Sequence, residues 1–345
     1  MSEQPLVSIG VPCYNSEATL AETLESILRQ TYRNFRVTVV DNASKDRTAG
    51  IAADFAKRDS RFRVTTFDKN VGYAENWTRC IELAEGDYSS LLFADDVYRE
   101  DIVEREVRAL ESCPEAGAVL TNSYVIDEGG RVLSERRLPE EIFSRYRGLL
   151  CYQEGLQLLF KHASYFMTPS LMARTSFFKN DLGFFDASIP QAADLDAFLR
   201  MLQKRPILFL PDPLIYNRLS VHGYSYEALK KKTTLNDLFL VVDRHLQAGA
   251  DALLTDMDRN NYAYLRLKDE IRCAVNGILQ GDRAAARDMT RNVFSRASWS
   301  LCAGRLGRTS ILGVGASCRL LSFVPLPGFV KAWLFKLRFG RLGLR

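Results

Sequence analysis

The first hundred residues alternate between short apolar stretches and stretches in which apolar positions have helical spacing. Residues Leu6 to Val11 are apolar and β-branched, and leucines and an isoleucine follow at positions 20, 24, 27 and 28. This pattern predicts a strand, a loop and a helix that is capped near Ser16. The pattern recurs over residues 35–84, and Tyr88 to Phe93 predicts a fourth strand.

Strands that alternate with helices favour right-handed crossovers and a parallel sheet. The predicted fold class is therefore α/β, with a Rossmann-like, mostly parallel central sheet and helices on both faces. Ligands of such sheets bind beyond the carboxyl ends of the strands. In this sequence polar or glycine residues follow each of the four predicted strands, namely Tyr14 and Asn15, Asp41 and Asn42, Asn70 and Gly72, and Asp95 and Asp96.

The pattern loosens after about residue 115. Ala118 to Thr121 predicts another strand, and the DEGG sequence at Asp127–Gly130 is typical of a hairpin turn. Asp194 to Gln203 has helical spacing. Ile207–Leu210 and Leu214–Tyr216 predict two short strands separated by prolines.

Helical spacing dominates from Glu227 to about Ala297, which predicts a second, all-helical region. We therefore expect one domain over residues 1–225, with halves at about 1–115 and 116–225, and a helical region over residues 226–345. A length of 345 residues fits one large domain and a smaller unit.

Cysteine usage and charge refine this picture. The seven cysteines are scattered and form no CxxC pair, which argues against a disulfide framework or a structural zinc site and favours the cytoplasm. The amino terminus lacks the basic and long apolar regions of a signal peptide. From Gly281 onward twelve arginines and lysines stand against two aspartates. This basic, aromatic tail predicts a peripheral contact with an anionic membrane, and self-association into a homo-oligomer is the alternative.

Asp95 and Asp96 are the sharpest chemical feature. Two adjacent carboxylates at a strand end repel each other, and a bound divalent cation would offset that repulsion. Aspartate is also a common residue before a helix, so the pair alone leaves a metal site and a helix cap equally open.

The sequences VSIGVPCYN, VVDNASKD, NVGYAENW and LLFADD, in this order, resemble a family 2 glycosyltransferase of the GT-A fold over roughly residues 5–225. The resemblance implies a nucleotide-sugar donor, for which uridine is the commoner base, and Mn²⁺ or Mg²⁺. It also implies a donor pocket at the four loops. Its expected members are Pro12, Tyr14, Asn15 and Asp41 at the base, and Asn42, Asn70 and Gly72 beside them.

The sequence departs from the family pattern at several site positions. The DxD motif falls on Phe93, Ala94 and Asp95, so the resemblance retains Asp95 as the metal ligand and passes any ribose contact to Asp96. Two further assignments come from the resemblance, namely Asp194 as the general base, although Ala193 replaces the acid before it, and His222 as a metal ligand, although Ser220 holds the usual histidine position in a gapless alignment.

The chemistry expected from these parts is an inverting sugar transfer to a hydroxyl of a glycan or polyprenyl-linked glycan in cell-surface polysaccharide synthesis. Two other functions stay open. A nucleotidyltransferase is less consistent, because the loop PCYNSEA lacks the glycine-rich basic sequence of a phosphate loop. A nucleotide- or glycan-binding module that has lost catalysis is suggested by Phe93 and Ala193. We expect no nucleic-acid partner.

Overall fold

The structure is a computed structural model that describes residues 4–189, 191–219, 232–302, 306–324 and 327–328. The chain forms two compact units. The first, here called the sheet unit, comprises Met1–Leu158 and Ser164–Leu219. The second, here called the helical unit, comprises Leu159–Ala163 and Ser220–Arg345.

Ten strands of the described chain form one sheet. They are β1 (Val7–Cys13), β2 (Phe35–Asp41), β3 (Phe62–Thr66), β4 (Tyr88–Leu91), β5 (Val97–Tyr98), β6 (Ala118–Ile126), β7 (Val132–Arg136), β8 (Leu149–Leu150), β9 (Leu171–Arg174) and β10 (Ile207–Arg218). The order is β3-β2-β1-β4-β9-β6-β10-β5, with β7 beside β6 and β8 beside β10. The pairs among β3, β2, β1 and β4 are parallel, as is β6 with β10, whereas β9 runs antiparallel to both of its neighbours.

Helices follow the strands as the alternating pattern predicts. Those that begin before residue 205 are α1 (Leu20–Leu28), α2 (Thr48–Arg58), α3 (Tyr73–Glu82), α4 (Ile102–Ser112), α5 (Glu141–Ser144), α6 (Tyr152–His162) and α7 (Ala193–Lys204). Helix α1 begins at Leu20, four residues after Ser16, and receives no side-chain cap; the hydroxyl of Thr19, the residue before it, donates to the Ala94 carbonyl oxygen at 2.8 Å. The cap predicted near Ser16 is therefore wrong.

The core of the sheet unit lies against the central parallel strands. Val7, Ile9 and Val11 of β1 are at most 1% exposed, as are Val37 and Val39 of β2. Parallel strands are covered on both faces, so an uninterrupted apolar run is what burial requires of them. The predicted α/β class, with its central sheet and helices, is confirmed.

The hairpin prediction is confirmed, and the prediction of two proline-separated strands is wrong. Strands β6 and β7 are joined by a turn in which Gly130 N donates to the Asp127 carbonyl oxygen at 3.0 Å. Strand β10 instead runs unbroken through Pro211 and Pro213, and its register against β6 shifts on either side of Pro213. A bulge accommodates a residue without an N–H group, so the prolines distort the strand and do not end it.

The helical unit contains the predicted all-helical region. Its helices are α8 (Asp237–Gln247), α9 (Asp256–Gln280), α10 (Arg283–Met289), α11 (Arg296–Cys302) and α12 (Leu306–Leu321). Thr255 and Asp258 form a capping box at the start of α9, and Gly281 ends that helix with φ +85°. Leu267 and Ile271 of α9 pack with Leu312 of α12 in a buried cluster. No helix in the described ranges is long and apolar enough to span a bilayer.

Candidate functional site

The loops after β1 and β2 interlock at the carboxyl edge of the sheet. Asn15 adopts a left-handed backbone with φ 48°. Its N–H donates to the Ser44 hydroxyl at 2.9 Å, and its side-chain oxygen accepts from Lys45 N at 2.9 Å. Ser16 N donates to the Thr48 hydroxyl at 2.7 Å. Asn15 therefore fixes the two loops relative to each other, which is more than the local turn that its residue type would suggest.

Asp41 lies at the base of these loops and is 1% exposed. Ser44 N lies 3.3 Å from both of its carboxylate oxygens, and the Ser44 hydroxyl also donates to one of them. Cys13 and Asp41 pair across β1 and β2, with Pro12 beside them in β1. Tyr14 follows directly and is 44% exposed, so its ring is available to a planar ligand at this edge.

Asn42 joins the second loop to the third. Its side-chain nitrogen donates to the Asn70 side-chain oxygen at 3.2 Å and to the Gly72 carbonyl oxygen at 3.1 Å, and its side-chain oxygen accepts from Val71 N at 2.9 Å. These bonds occupy the amide groups of Asn42, which is 3% exposed. Gly72 has φ +88° directly before α3, a conformation that favours glycine.

Asp95 and Asp96 have opposite environments. Asp95 is exposed, yet nearby protein atoms desolvate its carboxylate and raise its pKa, while its own backbone N–H and Arg218 oppose the shift. Asp96 is completely buried. It accepts from Arg218 N at 2.8 Å and from the Asn217 side chain at 3.0 Å, and burial together with the Asp95 charge raises its pKa. This buried arrangement differs from the ribose contact that the resemblance passes to Asp96.

A divalent cation fits Asp95 as a site that the substrate would complete. The described residues contain no cluster of three or more potential ligand residues. Mg²⁺ and similar hard cations often use only one or two protein carboxylates and take further oxygens from substrate phosphates. A single exposed aspartate at the carboxyl edge of the sheet matches that requirement. His222, the other predicted metal ligand, lies outside the described residues.

An aromatic cluster explains the residue at the first DxD position. Phe93 stacks on Trp77 with ring centroids 5.0 Å apart, and Trp77 also contacts Tyr73 at 4.7 Å and Phe185 at 5.3 Å. The Tyr73 hydroxyl donates to the Ile189 carbonyl oxygen at 3.2 Å. Sequence reasoning missed this cluster, although the spacing of Tyr73 and Trp77 on one helix was a visible signal.

Asp194, the predicted base, lies at the same edge of the sheet as Asp95. Its carboxylate accepts from the Thr168 hydroxyl at 2.8 Å and from Leu195 N at 2.8 Å. Thr168 precedes β9, which runs antiparallel to β4 with Leu171 opposite Leu91, so this end of β9 meets the carboxyl end of β4. Burial raises the pKa of Asp194, and hydrogen bonds and the Arg136 charge oppose the shift.

The neighbouring acidic residues have structural contacts. Asp196 accepts from Arg200 Nε at 2.7 Å, and the same guanidinium donates to the carbonyl oxygens of Leu182 at 2.6 Å and Phe184 at 2.8 Å. This pair therefore fastens the segment before α7. Asp186 accepts from Ser188 N at 2.8 Å in a local turn.

Solved structures with a similar fold include complexes with nucleotide sugars. The Staphylococcus aureus TarS 1–349 complex with UDP-GlcNAc matches with a TM-score of 0.53 at 17% identity, over 91% of this chain and 90% of that one. A mannosyltransferase, PcManGT, from Pyrobaculum calidifontis in complex with GDP-Man and Mn²⁺ matches with a TM-score of 0.53 at 18% identity, over 99% of this chain and 88% of that one. At these identities the likeness concerns the fold.

The sequence comparisons identify the family. Residues 8–180 match Glycosyl transferase family 2, and the chain belongs to that family of enzymes. An uncharacterized glycosyltransferase of Rickettsia typhi is 28% identical over 235 residues, which is 68% of each chain. Two further relatives match over a smaller share of their own length: the chain spans 42% of one and 36% of the other.

Proposed function

We propose that this glycosyltransferase transfers a sugar from a nucleotide-sugar donor, with uridine as the base, to an acceptor hydroxyl in a reaction that needs Mn²⁺ or Mg²⁺. The observation that carries the proposal is the exposed Asp95, which follows β4 at the carboxyl edge of the sheet, where the loops after β1, β2 and β3 also lie. UDP-GlcNAc and GDP-Man in the similar structures are both nucleoside diphosphate sugars, which supports a donor of that class.

The loops after β1, β2 and β3 are proposed to bind the nucleotide. Tyr14 would stack on the base, and Asp41 would accept a hydrogen bond from it after Ser44 yields part of its contact. Asn15, Asn42 and Asn70 would act through the loop backbone, because their side chains already bond within the protein. Pro12 would hold its strand end beside this pocket.

Asp95 would hold the cation, which supplies positive charge to the leaving diphosphate when bound. Asp194 would take the proton of the attacking hydroxyl, and its raised pKa makes it a better proton acceptor than an ordinary aspartate. One base and direct displacement imply inversion at the anomeric carbon. The assignment of His222 as a second metal ligand remains a prediction.

The acceptor is proposed to be a glycan or a polyprenyl-linked glycan of cell-surface polysaccharide synthesis. Residues 325–345 contain five lysines and arginines and no acidic residue. This charge supports a peripheral position of the protein on the cytoplasmic, anionic face of a membrane. We also propose that the glycosyltransferase domain ends near residue 225, where the helical region begins.

The direct test is a screen of UDP-, GDP- and dTDP-sugars for hydrolysis by the purified chain in the presence of Mn²⁺ or Mg²⁺. We expect release of nucleoside diphosphate from one UDP-sugar, with the released or transferred sugar first observed by NMR as the inverted anomer. Nucleotide binding without release of sugar from any donor would overturn the enzymatic proposal in favour of a binding module. First appearance of the retained anomer would exclude direct displacement.

A further inference from the structure

The turn that carries Asp95 is held by side chains at three successive carbonyl groups. The Ala94 carbonyl oxygen accepts from the Thr19 hydroxyl at 2.8 Å. The Asp95 carbonyl oxygen accepts from Arg218 Nε at 3.0 Å, and the Asp96 carbonyl oxygen accepts from the Thr23 hydroxyl at 2.7 Å. With the backbone fixed in this way, the Asp95 carboxylate is left accessible on a rigid turn.

Arg218 connects this turn to two other elements. Its side chain is 4% exposed. Besides Asp95, its guanidinium donates to the carbonyl oxygens of Asp127 at 3.1 Å and Glu128 at 2.8 Å in the β6–β7 hairpin. It also donates to the Glu22 carboxylate of α1 at 2.6 Å. The three nitrogens of the guanidinium thus reach three parts of the sheet unit, and its buried charge has an ionic partner.

Asp96 fastens the same turn to the end of β10 from the other side. Both of its carboxylate oxygens accept from the Asn217 side chain, at 3.0 and 3.2 Å, and one also accepts from Arg218 N at 2.8 Å. Because Asp96 is completely buried, these contacts replace water as its hydrogen-bond donors. The last two residues of β10 are therefore bound to the turn through both backbone and side chain.

We propose that Asp96 and Arg218, here called the clamp, are positioning residues that hold the Asp95 carboxylate where it binds the divalent cation. The inference rests on the proposed function of Asp95 and assigns neither clamp residue a contact with the donor. A lysine could not replace Arg218, since one ammonium group cannot reach a carboxylate and three carbonyl oxygens in different directions. Residues that orient a metal ligand typically change metal affinity about 10- to 100-fold when substituted.

Arg174 offers a matched control for Arg218. Its guanidinium also donates to backbone carbonyl oxygens, those of Ala116 at 3.1 Å and Leu110 at 2.6 Å. It pairs with Tyr88 at the amino end of β4, so it lies at the opposite edge of the sheet from Asp95. Arg174→Lys therefore removes comparable contacts without touching the turn.

The experiment measures UDP binding by calorimetry, with and without Mn²⁺, for the full chain and for Arg218→Lys and Arg174→Lys. Circular dichroism and thermal unfolding establish that each variant is folded. We expect Arg218→Lys to reduce the Mn²⁺-dependent gain in UDP affinity about 10-fold or more. Metal-free UDP affinity should stay within about twofold, because the loops of Asp41 keep their own contacts, and Arg174→Lys should retain the full Mn²⁺ gain.

Asp96→Asn and Asp95→Ala complete the comparison. Asp96→Asn keeps the side-chain shape but weakens the bonds to Asn217 and Arg218 N, and we expect a partial loss of the Mn²⁺ gain. An equal loss in Arg174→Lys, or an intact gain in a folded Arg218→Lys, would overturn the clamp. We expect UDP affinity to be independent of Mn²⁺ only in Asp95→Ala. A parent chain whose UDP affinity is also independent of Mn²⁺ would overturn the metal site itself and the clamp with it.

Discussion

At the residue scale, the two adjacent aspartates after β4 differ in burial and therefore in what their carboxylates can contact. Asp95 is accessible, whereas Asp96 is completely buried among donors from β10. The sequence could predict a carboxylate pair at a strand end, because apolar periodicity and strand length are local properties. It could not separate the two, since the donors to Asp96 come from Asn217 and Arg218, more than a hundred positions away.

If Asp194 is the base, its substitution should lower transfer activity, and the activity of the parent should depend on pH. Asp194→Asn keeps the shape of the side chain but cannot take a proton, so transfer should fall by roughly 10²-fold or more. Burial raises the Asp194 pKa above its ordinary value of 3.8. Parent activity should therefore be lost as pH falls through that raised pKa. Acceptor transfer over a pH series measures both effects, and parental single-turnover rates in the variant would exclude Asp194 as the base.

Glu106 is a buried acid outside the site, and it gives a stability prediction. It is completely buried on α4, and neither carboxylate oxygen has a hydrogen-bond partner among the residues that the structure describes. Glu106→Met removes the unsatisfied group and should raise the free energy of unfolding by about 1–3 kcal/mol. Burial raises the Glu106 pKa, so the parent loses stability as pH rises above the ordinary value of 4.5. The difference in free energy of unfolding between Glu106→Met and the parent should therefore grow with pH.

Denaturant unfolding at several pH values measures this advantage. Glu111→Met, an exposed substitution on the same helix, is the control and should change stability little at any pH. A variant less stable than the parent at neutral pH would show that Glu106 has a structural partner.

At the scale of elements, the strands that alternate with helices were predictable, and the joints between loops were not. Apolar runs in β1 and β2 follow from burial on both faces of a parallel sheet. The sequence predicted two short strands and not the single bulged strand β10, because a proline normally marks the end of a strand. The link from Asn42 to the third loop depends on side chains brought together only by the sheet.

That link predicts the effect of Asn42→Ala. The substitution removes bonds to Asn70, Gly72 and Val71 and leaves the partly buried Val71 N–H without its acceptor, so stability should fall by about 1 kcal/mol. UDP affinity should also fall, because the loops after β2 and β3 lose their connection. The control is Asn34→Ala, a substitution just before β2 that removes one hydrogen bond to the Gln4 carbonyl oxygen. Calorimetry measures UDP affinity and denaturant unfolding measures stability for both variants. Unchanged UDP affinity in folded Asn42→Ala would separate this link from the nucleotide pocket.

At the scale of the whole molecule, the described part of the basic tail packs within the helical unit. Helix α12 places Leu312 and Cys318 in buried clusters of the helical unit, so its residues stabilise that unit. Sequence alone could not separate these residues from the cations that follow, because apolar and basic residues alternate throughout. The membrane proposal therefore concerns the residues after Val324.

Deletion of residues 325–345 tests that proposal without removing α12. The truncated chain should bind vesicles with anionic lipid more weakly than the full chain, and the difference should shrink at high salt. A full-length chain with Lys331, Lys336, Arg338, Arg341 and Arg345 replaced by glutamine separates charge from apolar contact. Equal co-flotation of all three proteins would assign the tail to packing or self-association.

The proposed role of Asp95 as the cation ligand of this glycosyltransferase is tested by donor hydrolysis with and without that carboxylate. Release of UDP from the preferred UDP-sugar would be followed for the parent, Asp95→Ala and the surface control Asp54→Ala in Mn²⁺ and in EDTA. We predict Mn²⁺-dependent release by the parent and Asp54→Ala, and loss of release in Asp95→Ala and in EDTA. Full release by Asp95→Ala, or by the parent in excess EDTA, would show that release needs no cation at Asp95.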